Sequence, residues 1–131
     1  MIKIAKKHKI KIMGNSNSNI LFPELFHNID FIVKNFFIIN ANQGQIRGNH
    51  AHKKGRQIII LIQGGVQVDL EKNNLKQRII YTDLKKFLEI PKMTWLKIRF
   101  LEKSSLFCFS TEKYFEDEYI REYSTFKKIS S

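Results

Sequence analysis

His50 and His52 stand one residue apart in the stretch GQIRGNHAHKKGRQIIILIQGG, residues Gly44 to Gly65. On a strand, alternation aims both imidazoles at one face. Two imidazoles meeting in a largely apolar interior suit either metal ligation or proton transfer near neutral pH. On a loop they are simply two polar side chains ahead of a strand. Arg47 brings a fixed positive charge and a planar fork of donors suited to diphosphate or sugar oxygens. Alternation alone turns Arg47 away from His50, so a bulge or bend is needed to unite them. Gln57 either hydrogen-bonds an imidazole and fixes its tautomer or satisfies the barrel wall. Trp95 either stacks on a ligand or packs. Cys108, between Phe107 and Phe109, reads as core, and His8 and His27 carry no functional expectation.

The elements that must position these residues are mostly strands. Residues 2–13 (IKIAKKHKIKIM) alternate Ile with Lys in the manner of an edge strand, followed by a loop at Gly14–Asn19. Phe31–Asn40 reads as a buried strand. RQIIILIQGGVQVDLE reads as two strands joined by a tight hairpin at Gly64-Gly65. A turn at Asn73-Asn74 leads to another strand, and two more follow, broken at Lys103–Ser105. Helices are expected only at Phe22–Asn28 and in EDEYIREYSTFKKI near the C-terminus. Many short strands separated by turn signals predict an all-β sandwich or barrel over residues 1–131 as one domain.

Composition narrows the function. With 43% apolar and 27% charged residues, the chain has the balance of a globular protein rather than a disordered one. No apolar run approaches the roughly 20 residues of a membrane helix, and the N-terminus lacks the pattern of a signal peptide. One cysteine leaves no intrachain disulfide, which fits the cytoplasm. The net charge of +11 raises nucleic acid as a partner. The lysines are dispersed, however, without a basic helix or a zinc-finger pattern, so neither nucleic acid nor a membrane is expected.

From Gly44 the chain reads Gly, five residues, His50, one residue, His52, four residues, Gln57, six residues, Gly64. This resembles the first motif of the cupin superfamily, small jelly-roll β-barrels. Gln57 stands where metal-binding cupins have Glu, and Leu96, after Pro91 in PKMTWLKIRF, stands where the second motif supplies a histidine. A neutral amide is a poor ligand and an alkyl group none, which favours acid–base chemistry over metal binding.

RGNHAHKKGRQ together with YFEDEYIREYSTFKK is similar to the dTDP-sugar 3,4-ketoisomerases, metal-independent cupin enzymes of deoxysugar biosynthesis. The resemblance implies conversion of dTDP-4-keto-6-deoxyglucose to its 3-keto isomer, supplying an aminotransferase on the way to a surface glycan. It implies His50 as principal base, His52 as its partner in proton shuttling, and no cofactor or metal. Substrate-binding positions are expected at Arg47, Asn49, Gln57, Trp95 and Phe37, and a homodimer with exchanged strands is expected too. Tyr119, Arg121 and Tyr123 are expected to dock the C-terminal segment rather than to touch substrate. Relatives often carry tyrosines where this chain has Phe36 and Phe37. A non-catalytic sugar- or nucleotide-binding cupin and a metal-dependent cupin enzyme are the alternatives.

Overall fold

The computed structural model describes residues 3–23 and 30–130. Eleven strands and one helix follow in order: β1 (Lys6–Gly14), β2 (Asn19–Pro23), β3 (Asn35–Ala41), β4 (Ile46–His52), β5 (Gln57–Gln63), β6 (Val66–Lys72), β7 (Leu75–Tyr81), β8 (Lys86–Ile90), β9 (Trp95–Phe100), β10 (Ser104–Ser110), β11 (Tyr119–Ile120) and α1 (Tyr123–Ser130). They form two antiparallel sheets, six strands in the order β2-β1-β8-β5-β10-β3 and five in the order β11-β4-β9-β6-β7. This is the all-β arrangement expected.

Alternation on the facing strands builds the core between the sheets. Ile59 and Leu61 of β5 meet Val68 and Leu70 of β6, with Leu96 and Ile98 of β9, all buried. Each such side chain contributes roughly 1.5–3 kcal/mol by leaving water. The unbroken apolar run of β5 has a second cause. Ile58 and Ile60 point the other way, into an outer cluster with Ile10, Phe31 and Phe87. A strand covered on both faces has no polar side to show. Tyr81 of β7 ties the sheets together, accepting the Leu61 amide at 2.9 Å and donating to the Lys86 carbonyl.

Several elements differ from expectation. Gly64-Gly65 is no hairpin, because β5 and β6 lie in different sheets. It is a corner where Gly64 takes φ 89° and a Cβ would sit 2.2 Å from Ser104 Oγ. The hairpin lies at Asn73-Asn74, both at positive φ, where β6 pairs with β7. β1 is not an edge strand, since it pairs with both β2 and β8. β3 starts only at Asn35 and alternates half-buried with exposed residues, because it is the edge of its sheet and one face lacks cover. β8 was not expected at all. The first helix expectation meets strand β2 at Phe22 and Pro23, and its remainder, with His27, lies outside the described residues.

The C-terminal segment is not one helix. It divides into a 3-10 turn at Glu116–Glu118, the short strand β11, and α1. Among the described residues, no helix is long and apolar enough to cross a membrane.

Candidate active site

A bulge in β4 creates the site. Arg47 pairs with Ile98 and Gly48 with Lys97, but His50 pairs with Leu96, leaving Asn49 as the extra residue. Gly48 and Asn49 both adopt positive φ, 91° and 55°. At Gly48 a Cβ would lie 2.6 Å from the Leu96 carbonyl oxygen, so a side chain is excluded there. Asparagine tolerates the left-handed region better than most residues. Because Ile98 and Leu96 both face the interior, the insertion turns Arg47 and His50 to the same face. The bulge that joint action of Arg47 and His50 required is present.

His52, two residues on, shares that face and pairs with Tyr119 of β11. The three rings form a cluster. His50 meets His52 edge-on at 5.1 Å between centroids, and Tyr119 lies 5.1 Å from His50 and 4.6 Å from His52. Nδ1 of His50 and both nitrogens of His52 are buried without a hydrogen-bond partner among the described residues. Burial pushes both imidazoles down to about 4, helped at His50 by His52 and at both by Arg121. The resting imidazoles are therefore neutral. The fold therefore holds a pair of imidazoles rather than an imidazolium donor. Each ring rests in its base form, and burial keeps that base weak until a negative charge develops beside it in the groove.

His50 opens onto a groove of about 770 Å³ that Arg47, Phe37, Tyr114, Tyr119 and Arg121 also line. That volume lies in the range of small-ligand sites. On its inner side His50 borders a cavity of about 40 Å³, with Gln57, Phe37, Leu96 and Cys108 among its walls. Gln57 lines this cavity together with His50, but no hydrogen bond joins its amide to either imidazole. Cys108 is core as expected, its thiol pushed up to about 12 by burial and so unreactive.

Two expected binding residues are not brought to the histidines. Asn49 does not line the groove; its observed role is the backbone turn of the bulge. Trp95 faces the opposite side of the small sheet, 5.4 Å from the Tyr123 ring and 5.5 Å from Phe126. It packs α1 because its neighbour Leu96 takes the inward position. Tyr123 docks the helix as expected, donating to Glu71 Oε1 at 2.6 Å.

Tyr119 and Arg121 were missed as groove residues. Read as a helix, residues 119 and 121 point about 200° apart, whereas an extended chain puts them on one face. The alternation in YIREY was the available signal. Arg121 lies over the Tyr119 ring, 4.5 Å from its centroid, and pairs with Glu116. The segment is clamped by buried Glu118, whose Oε1 accepts the amides of Lys54 at 2.6 Å and Gly55 at 3.1 Å. Lys53 N donates to the Glu118 carbonyl at 2.8 Å. These bonds fix β11 beside β4, and with it Tyr119 beside the histidines.

The chain resembles known proteins over nearly its whole length. The family model described as FdtA, WxcM-like, C-terminal, matches residues 3–131. A TDP-4-oxo-6-deoxy-alpha-D-glucose-3,4-oxoisomerase of Aneurinibacillus thermoaerophilus is 29% identical over 116 residues, covering 87% of this chain and 84% of that protein. The TDP-fucose-3,4-ketoisomerase WlaRA of Campylobacter jejuni superposes with a TM-score of 0.82 at 27% identity, covering 97% of this chain and 96% of its own. A histidine-to-asparagine variant of the 3,4-ketoisomerase QdtA of Thermoanaerobacterium thermosaccharolyticum, solved with TDP-4-keto-6-deoxyglucose, superposes at 0.88 with 25% identity, covering 99% and 96%.

Proposed function

The chain belongs to the FdtA family (WxcM-like, C-terminal), and on that membership we propose that it is a nucleotide-sugar 3,4-ketoisomerase. It converts dTDP-4-keto-6-deoxyglucose to a dTDP-3-keto-6-deoxyhexose. The observation that carries the proposal is the pair of neutral imidazoles, three of whose nitrogens are buried without a hydrogen-bond partner among the described residues, beside a groove that Arg47 enters from the same strand.

Moving a carbonyl from C4 to C3 requires removal of the C3 proton, an enediol, and protonation at C4. His50 lines the groove and takes the C3 proton as base. His52 is 6% exposed and lies behind it, so it acts through His50 by sharing the proton load. Imidazolium forms only after abstraction, and its charge then favours the enediolate oxygen in a site with little water. Arg47 holds the diphosphate or a sugar oxygen. Phe37 packs on the sugar without contributing a hydroxyl.

The reaction needs no metal on this proposal. Gln57 and Leu96 occupy the remaining cupin ligand positions, and among the described residues no three His, Cys, Asp or Glu side chains converge. Turnover that disappears on dialysis against a strong chelator and returns with a transition metal would refute this part.

The deciding experiment is incubation with freshly made dTDP-4-keto-6-deoxyglucose and a 3-aminotransferase to trap product. Proton NMR of the product should show a 3-amino-3,6-dideoxyhexose. A recovered 4-keto substrate, with the nucleotide bound but unchanged, would favour a binding protein instead.

A further inference from the structure

Isomerisation moves protons at oxygen as well as at carbon. O4 must gain a proton when the enediol forms, and O3 must lose one when the 3-ketone forms. His50 accounts for the carbon-bound protons only. Of the other groove residues, Phe37 and Ile39 are apolar, Asn35 and Asn40 are amides, and Arg47 and Arg121 offer hydrogen-bond donors only.

Two phenols remain, and they are not alike. Tyr114 Oη donates to Glu116 Oε2 at 3.2 Å. Tyr119 Oη has no hydrogen-bond partner among the described residues. Its ring touches both imidazoles, and its backbone is registered against His52. The Glu118 clamp on Lys54 and Gly55 fixes that register.

We propose that Tyr119 is a catalytic residue that carries the oxygen-bound proton from O3 to O4 in effect, giving its own first and being repaid from substrate. The proposal rests on the ketoisomerase function above. In the first half-reaction His50 takes the C3 proton and the C3–H electron pair becomes the C3–C4 double bond. The C4 carbonyl π pair moves to O4, which takes the phenol proton. In the second half-reaction the Tyr119 phenolate accepts the O3 proton, the O3–H pair forms the C3 carbonyl, and the double-bond pair takes the proton from His50 at C4. Both residues return to their starting states, and no outside reagent is consumed.

The surroundings suit both forms of the phenol. Burial, with Tyr114 beside it, holds the Tyr119 hydroxyl above the ordinary tyrosine range, so it is protonated before reaction. Arg121 over the ring favours the phenolate once it forms.

The test compares Tyr119→Phe with wild type for turnover, KM and dTDP affinity, and adds site-specific 3-fluorotyrosine at position 119 as a second variant. Tyr119→Phe keeps the ring contacts and should lose about 10²-fold or more in kcat. Its KM and dTDP affinity should change less than about threefold. The fluorotyrosine enzyme should show the alkaline limb of its pH profile moved to lower pH. A Tyr119→Phe enzyme within about threefold of wild-type kcat overturns the proposal, as does a fluorotyrosine profile whose alkaline limb does not move. A wild-type chain that binds dTDP but does not isomerise the keto sugar overturns the ketoisomerase function itself, a failure visible before any variant is made.

Discussion

Arg47 and His50 are three residues apart on β4, yet they face the same way, because Asn49 is an unpaired insertion between them. An odd spacing on a regular strand would have split the guanidinium from the imidazole. The site depends on a local backbone irregularity as much as on side-chain identity.

The conformation at Asn49 should therefore be tunable. Asn49→Gly relieves the left-handed φ and should leave turnover and melting temperature near wild type. Asn49→Val forces a β-branched residue to φ 55°. That should cost roughly 1–2 kcal/mol in stability and lower turnover by disturbing the register of Arg47 to His50. Thermal melts and kinetics on both variants check this, and an Asn49→Val enzyme with unchanged melting and turnover would count against it.

The two histidines should not be equivalent. His50 lines the groove and His52 does not. His50→Asn should lose about 10²–10⁴ in turnover, with dTDP binding retained, while His52→Asn should lose less. Steady-state kinetics and nucleotide titration of both variants decide the order, and equal or reversed losses would remove the distinction.

Stability should fall with acid in a defined window. An unfolded histidine titrates near 6.5, whereas the fold holds His50 and His52 near 4. Above pH 6.5 both states are neutral and the pair contributes nothing to pH dependence. As pH drops from 6.5 toward 4, the unfolded chain binds protons that the folded chain refuses, so folding weakens. Below 4 the difference levels off. Melting temperature followed from pH 7 to 4 should decline less steeply in the double variant His50→Asn/His52→Asn than in wild type. Parallel curves would contradict the assigned burial of the imidazoles.

Residues with a strong local pattern were legible in the sequence. Alternation placed His50 and His52 together, and paired asparagines placed the β6–β7 turn. Even the need for a bulge at Arg47 could be read, because it follows from counting. What failed depended on partners distant in sequence. Gly64-Gly65 looks the same locally whether it joins strands of one sheet or carries the chain to the other. Trp95 carries no mark of which face is covered by α1. Tyr119 and Arg121 were hidden because acidic and aromatic residues at helix-compatible spacing concealed a two-residue strand, which exists only because β4 is there to pair with it.

The β3 edge of the large sheet should carry the dimer implied by the family resemblance. Phe36 and Ile38 on β3 are 63% and 58% exposed at the sheet's rim. An apolar pair at an open edge favours a second copy of the chain. Light scattering after gel filtration should give twice the 15.6 kDa chain mass, and Phe36→Lys/Ile38→Lys should shift it toward the monomer. A wild-type chain that runs as a monomer at all concentrations would contradict this.

The most direct measurement of the central claim is the fate of hydrogen at C3 and C4. The reaction is run in D₂O and the product is examined by NMR. Abstraction by His50 places the substrate proton on an imidazole that exchanges with solvent, so deuterium should appear at C4, in full or in part according to how well the closed groove excludes water. A substrate deuterated at C3 and run in ordinary water should correspondingly lose its label. Complete transfer of the C3 label to C4, together with an active His50→Asn enzyme, would contradict acid–base isomerisation at His50.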